Sequence, residues 1–113
     1  MSTLFTKILN GEIPAKILHQ DDHCAAIVDI QPQAPTHILL FPKKELRSMD
    51  AAGEDDKMVL GHLLLTAAQL ARDLGVAGDG YRLVVNTGRH GGQTIDHIHI
   101  HLLAGRGLAW PPG

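Results

Sequence analysis

Aromatic residues are nearly missing from this chain: Phe5, Phe41, Tyr81 and Trp110 are the whole complement in 113 residues. So few rings, spread so widely, exclude a stacking platform for single-stranded nucleic acid. An excess of one charge is missing too. Ten basic and twelve acidic side chains leave a formal charge of −2, so no global basic field exists to hold a phosphodiester backbone. Cysteine occurs once, as Cys24, which excludes an internal disulfide and any multi-cysteine zinc site. Its expected place is a buried strand position. No apolar run approaches the ~18 residues that span a bilayer, and the first residues lack the basic-then-apolar pattern of a secretory leader. A cytoplasmic setting is expected, with neither nucleic acid nor membrane as a partner.

What is present is a globular balance: 44% hydrophobic and 19% charged residues, the size and composition of one domain over residues 1–113. Leu4, Phe5, Ile8 and Leu9 have helical spacing and stop at Asn10-Gly11. Ile17–Gln20 and Cys24–Val28 flank Asp21-Asp22 as a hairpin. His37–Phe41 is a near-continuous apolar run closed by Pro42, the pattern of an interior strand. From about Asp50 to Leu74, apolar residues recur every three or four positions, which predicts a long amphipathic helix with acidic residues at its start. Gly61 inside it invites close packing. Tyr81–Asn86 reads as another strand, and Gly88–Gly92 as a glycine-rich loop. The expected fold is α+β, a mainly antiparallel sheet with one long and one short helix.

The most informative stretch is His97-Ile98-His99-Ile100-His101-Leu102-Leu103. A period of two is the strand period, so the three imidazoles leave one face and Ile98, Ile100 and Leu102 the other. The aliphatic face packs on a core and the histidine face is left to meet a ligand. Two chemistries suit such a row. Zinc would take two of the three histidines plus a ligand from elsewhere, such as His37, because all three reach one ion only with strain. Phosphorus chemistry fits the spacing better. A neutral imidazole is a competent nucleophile towards phosphorus, and flanking imidazoles supply protons to phosphate oxygens or a leaving group. The preceding Gly91-Gly92 permits close backbone approach to an anion, with Gln93 and Thr94 adding polar contacts.

These residues resemble the histidine triad superfamily, whose signature is His-φ-His-φ-His-φ-φ. Gln31–His37, Pro42-Lys43-Lys44, Gly91–Thr94 and the terminal Trp110-Pro111-Pro112-Gly113 are similar to the nucleotide-binding (Hint) branch, over essentially the whole chain. The resemblance implies a HIT-like homodimer of five-stranded sheets that hydrolyses purine nucleoside 5′-phosphoramidates without a cofactor or metal. It implies that His99 attacks the α-phosphorus to form a nucleotidyl-histidine, and that His101 contacts the phosphate and assists proton delivery to the amine. His97 would orient the nucleophile, with His37 as a fourth imidazole beside it. Asp29 matches the carboxylate that binds the ribose hydroxyls. Phe5, Ile8, Ile27 and Ile30 match the walls of the base pocket, while Asn86, Gly92, Gln93 and Thr94 match contacts near the phosphate.

The chain departs from the branch at several points. Thr94 stands where serine is usual, Asp96 where an aromatic is common, and Ala109 where a histidine often sits. Ile27 and Val28 replace a Phe-His pair, which removes stacking from the base pocket. Arg89-His90 makes the loop more basic, suited to an acidic leaving group. Three other functions compete: a dinucleoside polyphosphate hydrolase, a nucleotide-binding adaptor with incidental hydrolysis, and a structural zinc protein. His19, His23, His62 and His90 lie outside any motif, and solvated or packing roles are expected for them.

Overall fold

Strand β3 (Thr36–Pro42) is apolar on both faces because it sits in the middle of a sheet covered on both sides. The computed structural model describes residues 2–113. Its sheet has the order β1-β2-β3-β5-β4, from β1 (Ile17–Gln20), β2 (Cys24–Val28), β4 (Tyr81–Val84) and β5 (Ile100–Ala104), and every neighbouring pair is antiparallel. One face carries Cys24, Ala26, Ile38, Leu40, Ile100 and Leu102 against Leu63, Ala67, Leu70 and Ala71 of helix α2 (Lys57–Asp73). The other carries Ala25, Ile27, Leu39 and Phe41 against Phe5 and Ile8 of helix α1 (Leu4–Leu9). The period-two alternation of β2 and β3 thus feeds two cores at once.

Local chemistry sets the element ends. Thr3 caps α1, its hydroxyl oxygen accepting the Thr6 N–H at 3.2 Å, and Gly11 follows the helix at φ +80°. Asp21 Oδ1 accepts the N–H groups of His23 and Cys24 at 2.8 and 2.9 Å, which builds the expected acidic hairpin turn. The long helix begins later than its apolar spacing predicts: Glu54–Asp56 form a 3-10 turn and the α-helix starts at Lys57. The Asp56 carboxylate closes that turn by accepting the Gly53 N–H at 2.9 Å and the Lys44 ammonium at 2.6 Å. Gly61 does not mediate close packing, for a Cβ there would meet nothing within 4 Å. The glycine-rich segment is not an open loop either; Gly88–Gly91 form one helical turn, α3, ended by Gly92 at φ +81°.

Candidate active site

The histidine row begins before its strand. β5 pairs with β3 from Leu40↔Ile100 to Thr36↔Ala104, so His97, Ile98 and His99 precede the ladder. The cause lies in the partner: β3 ends at Pro42, which has no N–H to offer. The Ile98 N–H instead donates to the Leu46 carbonyl at 2.7 Å. The triad therefore enters the sheet from an irregular approach that frees His97 and His99 for side-chain bonds to the main chain. The alternation survives this. His99 and His101 stand on the α1 face, beside Leu39, whose strand partner is His101.

Each imidazole proton is assigned by its partner, because a carbonyl only accepts and an amide N–H only donates. His97 Nε2–H donates to the Pro42 carbonyl at 2.7 Å, so its Nδ1 accepts from the Thr3 hydroxyl at 2.6 Å. His99 Nδ1–H donates to the His97 carbonyl at 2.8 Å, which leaves its Nε2 lone pair uncommitted. Gln33 N–H donates to His37 Nδ1 at 3.0 Å, so His37 carries its proton on Nε2. That proton is directed at His101 Nδ1, 2.9 Å away, with Asp29 Oδ2 at 3.3 Å. His101 is consequently the Nε2–H tautomer. Burial lowers the basicity of His37, with Asp29 opposing, and that of His97, with its Pro42 bond opposing. Burial, then the neighbouring His99 and His37, push His101 down to about 4. His37, His97 and His101 are therefore neutral at pH 7.

His99 and His101 open on a hollow of about 380 Å³. Of the residues singled out in the sequence, Phe5, Ile8, Ile27, Asp29, Ile30 and Thr94 line it with them. Leu39, Ile13, Pro14 and Ile95 also belong to its apolar wall and carry no site assignment from the sequence reading. Leu39 is within reach of that reading, since the period of two places it on the same face as His37; Ile13, Pro14 and Ile95 lie in irregular chain and carry no such signal. Ile30 stands at the rim, 90% exposed, whereas Phe5 is fully buried and stacks on Phe41 with ring centroids 4.3 Å apart.

Other candidates are placed elsewhere. His97 does not meet a ligand, contrary to a fully open histidine face: it is fully buried, edge-on to Phe5 and Phe41. His37 lies behind Asp29 and His101 rather than in the wall. Gln93 is spent inside its loop, accepting the Gly88 N–H at 3.0 Å and donating to the Arg47 and Ile95 carbonyls at 2.7 and 2.9 Å. Gly92, Gln93, Arg47 and Arg89 border a second hollow of about 650 Å³ that meets the first at Thr94. Asn86 is half-buried and lines neither hollow. The zinc alternative is met only in part: donor atoms of Asp29, His37 and His101 lie within 4.8 Å of one another, with one triad histidine where two were expected.

The family model of the HIT domain matches residues 10–108. An "uncharacterized HIT-like protein" of Synechocystis sp. is 53% identical over 111 residues, covering 98% of this chain and 96% of the relative. The fold superposes on a HIT family hydrolase from Legionella pneumophila with a TM-score of 0.96, at 46% identity, covering 99% of this chain and all of that one. A histidine triad nucleotide-binding protein from Candida albicans gives a TM-score of 0.81 at 31% identity, covering 97% and 83% of the two chains.

Proposed function

Because this chain belongs to the HIT domain family, we propose that it is a hydrolase of purine nucleoside 5′-phosphoramidates with His99 as its nucleophile. The observation that carries this reading is the bond from His99 Nδ1–H to the His97 carbonyl. It fixes the tautomer whose Nε2 lone pair is available at a hollow lined by His99 itself. Nε2 attacks the α-phosphorus and the P–N bond breaks. The imidazolium charge that develops is held by the His97 carbonyl. His101 Nε2–H hydrogen-bonds the departing nitrogen and aligns it for protonation by solvent. Water then attacks phosphorus, the P–Nε2 bond breaks with its electron pair returning to Nε2, and one proton of that water passes to solvent, balancing the proton carried off by the amine.

The hollow has the chemistry of a nucleoside: an aliphatic wall from Ile8, Ile27 and Leu39, and one carboxylate, Asp29, for the ribose hydroxyls. Its aliphatic walls suit either purine and discriminate weakly. Homodimerisation belongs to the same proposal. β4 is a free sheet edge, and Met49, Leu60, Leu64 and Val85 border a small apolar cavity of about 80 Å³ on the α2 side of the sheet. A cytoplasmic location is part of the same proposal; no helix among the described residues is long and apolar enough to cross a membrane.

Quenched mass spectrometry during turnover of adenosine 5′-phosphoramidate tests the chemistry. A transient AMP adduct mapped to His99, and absent from His99→Gly, is the expected result. AMP binding without turnover would overturn the hydrolase reading for this substrate and leave a nucleotide-binding protein.

A further inference from the structure

Three side chains with no part in the active site, two imidazoles and a thiol, converge on one carboxylate where the β1–β2 hairpin meets α2. His19 Nε2 from β1 and His62 Nε2 from α2 each lie 2.7 Å from Asp21 Oδ2. Cys24 Sγ lies 3.6 Å from the same oxygen. Donor atoms of His19, Asp21 and Cys24 all fall within 4.8 Å of one another. The other carboxylate oxygen, Oδ1, is held by the N–H groups of His23 and Cys24, so the orientation of Oδ2 is fixed by the main chain. The His23 ring braces His62 edge-on at 5.3 Å. A hollow of about 220 Å³, lined by His19, Asp21, His62 and Thr66, gives access.

We infer that this cluster is a zinc-class metal site, with His19 Nε2, Asp21 Oδ2, Cys24 Sγ and His62 Nε2 as its four ligands. The donor set of two imidazoles, one carboxylate and one thiolate suits zinc and is wrong for magnesium or calcium, which take oxygen. Ordinary zinc bond lengths put tetrahedral ligand atoms roughly 3.3–3.6 Å apart. The sulfur-to-oxygen separation is already there. His19 Nε2 must retreat from that oxygen by about 0.6 Å, and His62, which is not among the donors that lie within 4.8 Å of one another, must swing towards the other ligands; side chains 34% and 37% exposed have room to do so. Both imidazoles carry their protons to Nδ1 as they bind, and the thiol proton is released, one per ion. An ion here ties the hairpin to the long helix, on the face of the sheet opposite the triad.

Cobalt(II) titration of the metal-stripped protein tests this, because Cys24 is the only thiol and a thiolate-to-cobalt band in the near ultraviolet reports on this site alone. One equivalent of cobalt should produce the band, and zinc should abolish it. His19→Ala and His62→Ala should each weaken binding at least tenfold, while His101→Ala, at the separate Asp29–His37–His101 cluster, should leave the band unchanged. His62 is a half-exposed helix-surface residue, so its variant keeps the fold should Cys24→Ala lose it. Absence of the band at saturating cobalt, or a band of unchanged affinity in both histidine variants, would overturn the assignment. None of these readouts depends on hydrolysis.

Discussion

His37 Nε2 lies 2.9 Å from His101 Nδ1, and the Gln33 N–H on the far side of the His37 ring decides which of the two holds the proton. A main-chain donor thus sets the tautomer of an imidazole in the wall of the hollow, through a second imidazole that never reaches it. The chain Gln33–His37–His101 turns a loop conformation into the placement of one N–H at the substrate.

Replacing His37 by Phe removes that control while keeping a ring of similar bulk. His101 is then free to take either tautomer, and only one presents Nε2–H. The expected loss is about 10–100-fold in kcat, the worth of a hydrogen bond of ~1.5–3 kcal/mol made to the developing charge in the transition state, with KM changed far less. Steady-state kinetics on adenosine 5′-phosphoramidate check the split, and the ¹⁵N shifts of His101 check the tautomer. An unchanged kcat with a mixed tautomer would mean that the His101 N–H does not align the departing nitrogen.

Stability should fall in mild acid. His101 has a folded-state value of about 4, whereas an unfolded imidazole titrates near 6.5. Between these limits the unfolded chain binds a proton that the folded one refuses, so acid favours unfolding. The contribution is complete above pH ~6.5, declines as pH falls towards 4, and is gone below. For His101 alone it is on the order of 1–3 kcal/mol; His37 and His97, also lowered by burial, act in the same direction. Urea midpoints measured at pH 7, 6, 5 and 4.5 should drop steadily. A flat series would mean that the histidine cluster accepts protons without strain.

Periodicity makes much of the fold legible in the sequence. The strands of the hairpin, the buried β3 and the long helix follow from apolar spacing, and the triad marks its own face. What escapes is set by partners distant in sequence. The start of β5 at Ile100 depends on Pro42 ending β3, and the burial of His97 depends on Thr3, Phe5 and Pro42 meeting around it. His19 and His62 are 43 residues apart, and nothing in their local patterns shows that both reach Asp21. Gln93 reads as a ligand contact by its place beside Gly91-Gly92; its amide is consumed by the turn that those glycines create.

Asp29 provides the sharpest test of the substrate's orientation. Its Oδ1 accepts the Gln31 N–H at 2.8 Å, Oδ2 lies 3.3 Å from His37 Nε2, and the carboxylate borders the hollow. Two roles are therefore open to one group: holding a ribose diol, or polarising His37. Asp29→Ala separates them. His37 keeps its shorter bond to His101 in the variant, so loss of a ribose contact should raise KM by about 10–100-fold, the worth of a charged hydrogen bond of ~1.5–3 kcal/mol, and leave kcat nearly constant. A 2′,3′-dideoxy substrate should cost the parent enzyme the same factor and cost the variant nothing further, because both changes remove one contact. Equal sensitivity of parent and variant to the missing hydroxyls would show that the ribose is held elsewhere, and a fall in kcat would assign Asp29 to His37 instead.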